Sequence, residues 1–437
     1  MTSLNRFSRL LGIALLASAA ALSGCSNDTG SSKLPGGDDH DHGGEVTAAK
    51  VATPLRVTQI GAHHDVAQIV GFATGNKVMY VITPEKTLYE QKDWSNGEDA
   101  TRSQHLFDAH GEHFMVLDTA GKLHILDTAD WSYHAGVQVV TAASVTQGAK
   151  ITVSLAENLA FITDPAGKAI QVVDIETGTL QTPIALDFTP SAAGLAWTGI
   201  AAGHDHEEEG HVHAAAEDDH DHEAAHPGRL ILANSGDHAH AYVYDLEKGK
   251  LLEEDFHLEN VPNAFYTSPG GRYAVIVQQA GNLVQFLDSG ISAHDDHVHA
   301  DAPAMLTLTL TGTKPAHYRS VDGLATMFFD EGSLRFVLFS DASLAANALL
   351  ASESGVAAHH GIAEPRGEVV LVSKADRSGV VPYALHDDHF HAEGEVDVAC
   401  EGLHGGGSNA GWSAFGCNDG VLLVGTASED DHAGHDH

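Results

Sequence analysis

Short apolar runs alternate with Asp/Gly turns along most of this chain, and one phrase returns. An apolar run, a tight turn and a second apolar run ending near Asp occupy His113–Thr128, Leu159–Ile175, Leu230–Leu246 and Tyr273–Ser289. Weaker copies lie at Leu334–Ala345 and Glu368–Leu385, a partial one lies at Gly420–Thr426, and Lys77–Thr87 reads as a first. Turn residues between short alternating runs are the signature of β-hairpins. With His-rich insertions set aside, the hairpins recur roughly every 35–50 residues, the spacing of propeller blades rather than of an irregular sandwich array. The pattern therefore predicts an all-β fold: a β-propeller of seven or eight four-stranded blades with disordered His/Asp-rich insertions. The lone last strand predicts that an N-terminal strand, at Leu55–Ile60, closes the ring.

The N-terminus departs from this pattern. Arg6 and Arg9 precede an apolar stretch, Leu10–Leu22, that ends in Leu22-Ser23-Gly24-Cys25. A charged start, an apolar core and small residues before a cleavage point make a secretory signal, too short to span a bilayer. The Leu-Ser-Gly-Cys ending resembles a bacterial lipobox, with Cys25 as the lipidated first residue of the mature protein. Ser26 rather than Asp follows it, which by the same resemblance favours the outer membrane. The predicted organisation is a lipoprotein signal peptide over 1–24, a flexible His-containing tether over 25–52, a propeller over 53–427 and a His-rich tail over 428–437. The segment 201–228 carries nine acidic and no Lys or Arg residues and is predicted to be a disordered loop, too polar to bury a core.

Composition adds the chemistry. The chain has 32 histidines among its 437 residues and a formal charge of −38. That charge excludes nucleic acid as a partner and fits the attraction of cations. The histidines fall in runs mixed with Asp: His40 and His42; His204, His206, His211 and His213; His220 and His222; His294, His297 and His299; His386, His389 and His391; and His432, His435 and His437. Imidazole suits Zn²⁺ and also Ni²⁺, Co²⁺ and Cu²⁺, and flanking carboxylates add negative potential. Repeated runs of this kind point to capture of a transition metal, zinc first, by mobile loops. A second class of histidine sits on the scaffold. His404, His360 and His110 each precede a Gly and lead the candidates for a tight inner site, followed by His113, His317, His63 and His64, with Asp65, Asp108 and Glu112 as possible carboxylate ligands. His105 and His359 belong to the same class, in which a packed or hydrogen-bonded role is the common one. Cys400 and Cys417, the cysteines left after the leader, read as a disulfide in an exported protein. No G-x-S-x-G elbow and no Gly-rich phosphate loop marks a catalytic centre, and redundant His tracts suit capture rather than turnover.

The C-terminal stretch resembles the end of periplasmic zinc metallochaperones of the AztD type. Cys400 and Cys417 flank Leu403-His404-Gly405, and Phe415-Gly416-Cys417-Asn418-Asp419-Gly420 opens the last strand. The likeness extends over the propeller body, about Thr53–Thr426. It implies a propeller that hands zinc to the solute-binding protein of a zinc ABC importer, with His404 as the motif histidine, a Cys400–Cys417 disulfide, and His40 and His42 in a His-rich N-terminal segment. The lipobox, the His-rich insertions and the His-rich tail depart from that pattern, and a lipid anchor changes how a shuttle would meet its partner. The expected protein is a non-catalytic zinc carrier, anchored through lipid alone on the periplasmic side of the envelope. A zinc buffer without a dedicated acceptor and a metal-dependent propeller hydrolase stand as alternatives.

Overall fold

The structure, a computed structural model of the chain, describes residues 46–73, 78–91, 104–201, 227–236, 239–294 and 297–426. The leader with Cys25, His40 and His42, the runs from His204 to His222, and the tail with His432, His435 and His437 lie outside the described residues, as do the side chains of His294 and His297. Among the described residues, antiparallel strands build eight blades of a β-propeller. Their innermost strands, numbered here as blades 1 to 8, are Val57–Gly61, Gln104–Phe107, Ile151–Val153, Pro190–Thr198, Ala264–Thr267, Pro315–Val321, Ala363–Arg366 and His404–Ser408. Each blade has four strands, except that the outer edge of blade 3 is split between Thr179–Leu180 and Ile184–Ala185.

The repeated phrase corresponds to the second and third strands of blades 2 to 5, such as His113–Leu117 with Lys122–Asp127. These middle strands are packed on both faces by neighbouring blades, so they read as continuous apolar runs. Every residue of Tyr273–Gln278 is buried, and so is every residue of Phe336–Phe339. Outer strands have one neighbour fewer, and Lys250–His257 is largely exposed. Between blades the core is made of interlocked aromatics, for example Phe286 against Phe339 with ring centroids 5.4 Å apart. At about 25 cal/mol per Å² of apolar surface, such wedges are the main stabilising term.

Three expectations are corrected. The ring is closed by Val46–Ala52, which pairs with Gly420–Thr426 from Val46 opposite Thr426 to Ala52 opposite Gly420. Leu55–Ile60 instead overlaps the innermost strand of blade 1, Val57–Gly61. The closing strand was obscured because, as an outer edge, it buries little beyond Val51, and it lies in the stretch read as tether. Second, Leu334–Ala345 is not a hairpin: Phe336–Phe339 is a strand, but Asp341–Ala345 is a short helix. Ser340 and Ser343 form a reciprocal capping box at its start, which satisfies free N–H groups there. Third, the runs at His294–His299 and His386–His391 are not loops. Ile291–His294 pairs with His297–Ala300, and Val380–His386 pairs with His389–Ala392 across the turn Asp387-Asp388.

Because the innermost strands are equivalent and packed side by side around the channel, the ring has a start face, where they begin, and an end face, where they finish. In each four-stranded blade the turns after the first and third strands lie on the end face. This decides which histidines can meet.

Candidate metal centre

A cavity of about 350 Å³ opens at the start face, lined by Thr58, Ile60, His105, His317, His360 and His404, among others. Four blades supply its histidines. His317 is the third residue of the blade 6 innermost strand. His360 precedes that of blade 7, His404 begins that of blade 8, and His105 lies in that of blade 2.

The local structure at His404 is specific. Gly405 has φ +73° and interrupts the pairing between His404 and Gly406, which is a β-bulge of the kind that re-aims a side chain. A Cβ on Gly405 would stand 2.7 Å from the Thr58 carbonyl oxygen, so glycine is required by both conformation and space. The buried Cys400–Cys417 disulfide ties the segment before the bulge to the next strand, with Cα atoms 5.0 Å apart. His404 Nδ1 lies 2.9 Å from the Thr58 carbonyl oxygen. Donation there leaves Nε2 as a lone pair for the cavity.

His360 is oriented the same way. Its Nδ1 lies 2.7 Å from Asp330 Oδ2, the carboxylate–histidine arrangement that sets the tautomer of metal-binding rings. Its Nε2 faces His317 Nε2 at 3.2 Å, and the rings of His360 and His404 lie 6.1 Å apart. Two imidazoles bound to one tetrahedral zinc at about 2.0–2.1 Å would hold their nitrogens about 3.4 Å apart, so the His317–His360 pair is already at ligand spacing. Single donor atoms of His317, Asp330 and His360 all fall within 4.8 Å of one another. Asp330 Oδ1 is buried and makes no hydrogen bond, an unmet acceptor that a cation would satisfy. The donor set fits zinc.

Burial keeps two rings of the cavity, His317 and His105, neutral. Burial, then Arg319 and the other two histidines, lower the pKa of His317 to about 3. Burial lowers that of His105 to about 4. His105 packs against Phe72 at 4.7 Å and its Nε2 lies 3.4 Å from the Ile60 carbonyl, which makes it a wall of the cavity. Deeper in the channel, Arg319 Nε lies 3.5 Å from Glu364 Oε2; the pair is close but not aligned as a hydrogen bond, since both atoms lack a hydrogen-bond partner. Ser408 donates to Glu364 Oε1 at 2.8 Å. Burial raises the Glu364 pKa to about 7 against the pull of Arg319 and Ser408.

The structure does not bring His110, His113, His63 or His64 to this cavity. His110 and His113 border the turn after the innermost strand of blade 2, on the end face. The His-Gly pattern misled because Gly111 serves that turn, at φ +69°, whereas Gly361 and Gly405 stand at strand starts. His113 Nδ1 lies 2.9 Å from buried Asp108 Oδ2, and its ring is 5.0 Å from that of His134. Asp108, Glu112 and His113 form a second group with donor atoms within 4.8 Å, and Glu112 and His113 line a wider cavity of about 680 Å³ with His110, His134 and Glu176. His63 and His64 line the end-face mouth of the channel, where His64 pairs with Asp322. His359 Nδ1 donates to the Ala357 carbonyl and its Nε2 bonds the Ser373 hydroxyl, so it is a packed histidine. Sequence reading missed Asp330, His134 and Glu176, which carry no motif: each becomes relevant through pairing between distant strands.

No protein-family model matches the chain. Over 164 residues it is 30% identical to the zinc chaperone AztD of Citrobacter koseri, a match that covers 36% of this chain and 39% of that protein. The chain thus spans about two fifths of the curated relative it matches. The structure of apo AztD from the same organism is 26% identical over 43% of this chain and 51% of its own, with a TM-score of 0.37. The Dos1 propeller matches 87% of this chain and 96% of its own at 12% identity, with a TM-score of 0.54, a likeness of fold alone. The chain is a distant, partial relative of a zinc chaperone, built as an eight-bladed propeller with two His/Asp groups able to coordinate a metal ion.

Proposed function

We propose that this protein is a zinc metallochaperone of the periplasm, held to the envelope by lipid on Cys25, that carries zinc as cargo in the start-face cavity and delivers it to the solute-binding protein of a zinc importer. The observation that carries the reading is the meeting of His317, His360 and His404 in one cavity, with Asp330 behind His360. His317 is held neutral by burial and binds without first losing a proton, and His360 and His404 are oriented through Nδ1. The cavity is open to solvent, so an acceptor's ligands can replace them one at a time. The partial likeness to a zinc chaperone supports the choice of cargo. Buffering without an acceptor would use the same cavity. A hydrolase would have one motif to rest on, His222-Glu223-Ala224-Ala225-His226, which needs a helix to place both histidines on one face; it lies outside the described residues.

The test is a zinc titration against a competing chelator, followed by transfer to a zinc-free solute-binding protein. His360→Ala should remove one tight zinc and abolish transfer faster than unaided dissociation. Asp330→Asn should weaken that zinc by about 10–100-fold, and His110→Ala should change neither. Full tight stoichiometry and normal transfer in His360→Ala would refute the proposal.

A further inference from the structure

The run His386–His391 is a built element rather than a tether for metal. Val380–His386 and His389–Ala392 pair so that Leu385 faces Phe390 and His386 faces His389. Alternation then puts Leu385 and Phe390 on one side and His386, His389 and His391 on the other. The apolar side is anchored: Phe390 is buried and packs tilted against Phe336 of blade 6, with ring centroids 4.8 Å apart. The turn Asp387-Asp388 is tight, with Asp387 at φ +56°. Asp tolerates this left-handed conformation better than most residues do. On the polar side Ala384 stands opposite His391 and leaves room for the rings.

Three imidazoles therefore crowd together at the edge of blade 7. Ring centroids are 4.8 Å apart for His389 and His391, 5.2 Å for His386 and His391, and 6.5 Å for His386 and His389. His389 Nε2 and His391 Nε2 are 3.0 Å apart, near the ligand spacing seen in the channel. Glu393 Oε1 lies 3.7 Å from His386 Nε2 and supplies a carboxylate at the same place. Exposed like-charged or neutral rings gain nothing by gathering without a partner, and the hairpin holds them there through packing on its other face.

We infer that His389 and His391, already at ligand spacing, form with the neighbouring His386 and Glu393 a surface site for a divalent transition ion, zinc above all. It is distinct from the start-face cavity, since the turn after the third strand of a blade lies on the end face. The ordering cost that weakens binding by mobile His runs is met by the fold for His389 and His391, while solvent exposure leaves the ion free to exchange quickly. This deepens the zinc-handling reading only in the choice of metal; the site itself stands apart from the channel ligands.

The test uses the full chain with Zn²⁺ alone as probe. His389→Ala/His391→Ala should bind one equivalent less than the unaltered protein and lose amplitude in the fastest phase of uptake, with the tight zinc kept. His386→Ala should weaken the same equivalent by at least tenfold. Melting of the metal-free variants should match the unaltered protein, because the substituted rings are exposed. An unchanged stoichiometry and uptake in the double variant would overturn the proposal. If His360→Ala loses its zinc while the double variant loses none, the channel site stands and the surface site falls. If the double variant loses an equivalent while His360→Ala loses none, the surface site stands and the channel site falls.

Discussion

At the residue scale, what separates a ligand from a packed histidine here is the partner of the other ring nitrogen and the place of the ring. His124 is fully buried, with Nε2 at 2.9 Å from Asp118 Oδ2 and Nδ1 at 3.2 Å from the Tyr133 hydroxyl, so both nitrogens are committed. His404 and His360 commit Nδ1 to Thr58 and Asp330, and the Nε2 of His360 meets only another cavity imidazole, that of His317. The buried groups beside them give stability a definite pH dependence. His317 and His105 have folded pKa values below 6.5, so the unfolded chain takes up their protons first, and their contribution is lost as pH falls below about 6.5. Glu364 has the opposite sign. Its folded pKa of about 7 lies above the ordinary value of 4.5, so its contribution is present at low pH and is lost as pH rises from about 4.5 through 7. Glu364→Gln should therefore steepen the rise in metal-free stability across this window, by at most about 1.4 kcal/mol per pH unit. Denaturant melts at several pH values measure it; parallel curves for variant and unaltered protein would place the Glu364 proton elsewhere.

At the element scale, the segment from Cys400 to Cys417 does two tasks. The disulfide closes a loop of sequence separation 17, for which chain entropy gives about 3 kcal/mol. The bulge at Gly405 then turns the first residue of the blade 8 innermost strand into the cavity. Cys400→Ser/Cys417→Ser should lower stability by about 2–4 kcal/mol and weaken the tight zinc, because His404 would sit on a looser segment. Calorimetry with and without zinc separates the two effects. Equal zinc affinity in both proteins would mean that the bulge alone positions His404. The same holds for His386–His391, where composition suggested a mobile loop and the packing of buried Phe390 with partly buried Leu385 made a hairpin.

At the scale of the whole molecule, the ring is a closed chain of blades, and its closure joins the two ends of the described body. Val46–Ala52 supplies the outer strand of blade 8 and Lys50 Nζ reaches Asp419 Oδ2 at 2.7 Å. Deleting residues 46–52 should leave Gly420–Thr426 with an unpaired edge. Taking roughly 5 kcal/mol for seven lost ladder positions, at about 2 °C per kcal/mol, melting should fall by about 10 °C. A melt unchanged by the deletion would show that blade 8 does not depend on this strand. The division into faces is also global: the channel histidines meet at the start face, whereas His63, His64, His110, His113 and the His386–His391 hairpin lie toward the end face.

Sequence alone determined what depends on local period and composition. Apolar middle strands broken by Asp/Gly turns announced a propeller, because each blade must bury both faces of those strands, and the eight blades fall within the predicted seven or eight. An isolated pair, Cys400 and Cys417, in a chain read as exported announced their bond. The wealth of imidazole beside carboxylate announced metal-binding chemistry. Tertiary structure decided what depends on distant strands meeting. A His-Gly pair looks the same at a strand start and in a strand-to-strand turn, but blade topology sends His360 and His404 to one mouth and His110 to the other. Asp330 carries no mark in its own neighbourhood, and only the approach of blade 7 to blade 6 places it behind His360. The closing strand Val46–Ala52 is too weakly apolar to be read by period, since an edge strand is held mainly by backbone hydrogen bonds, which leave little trace in side-chain identity.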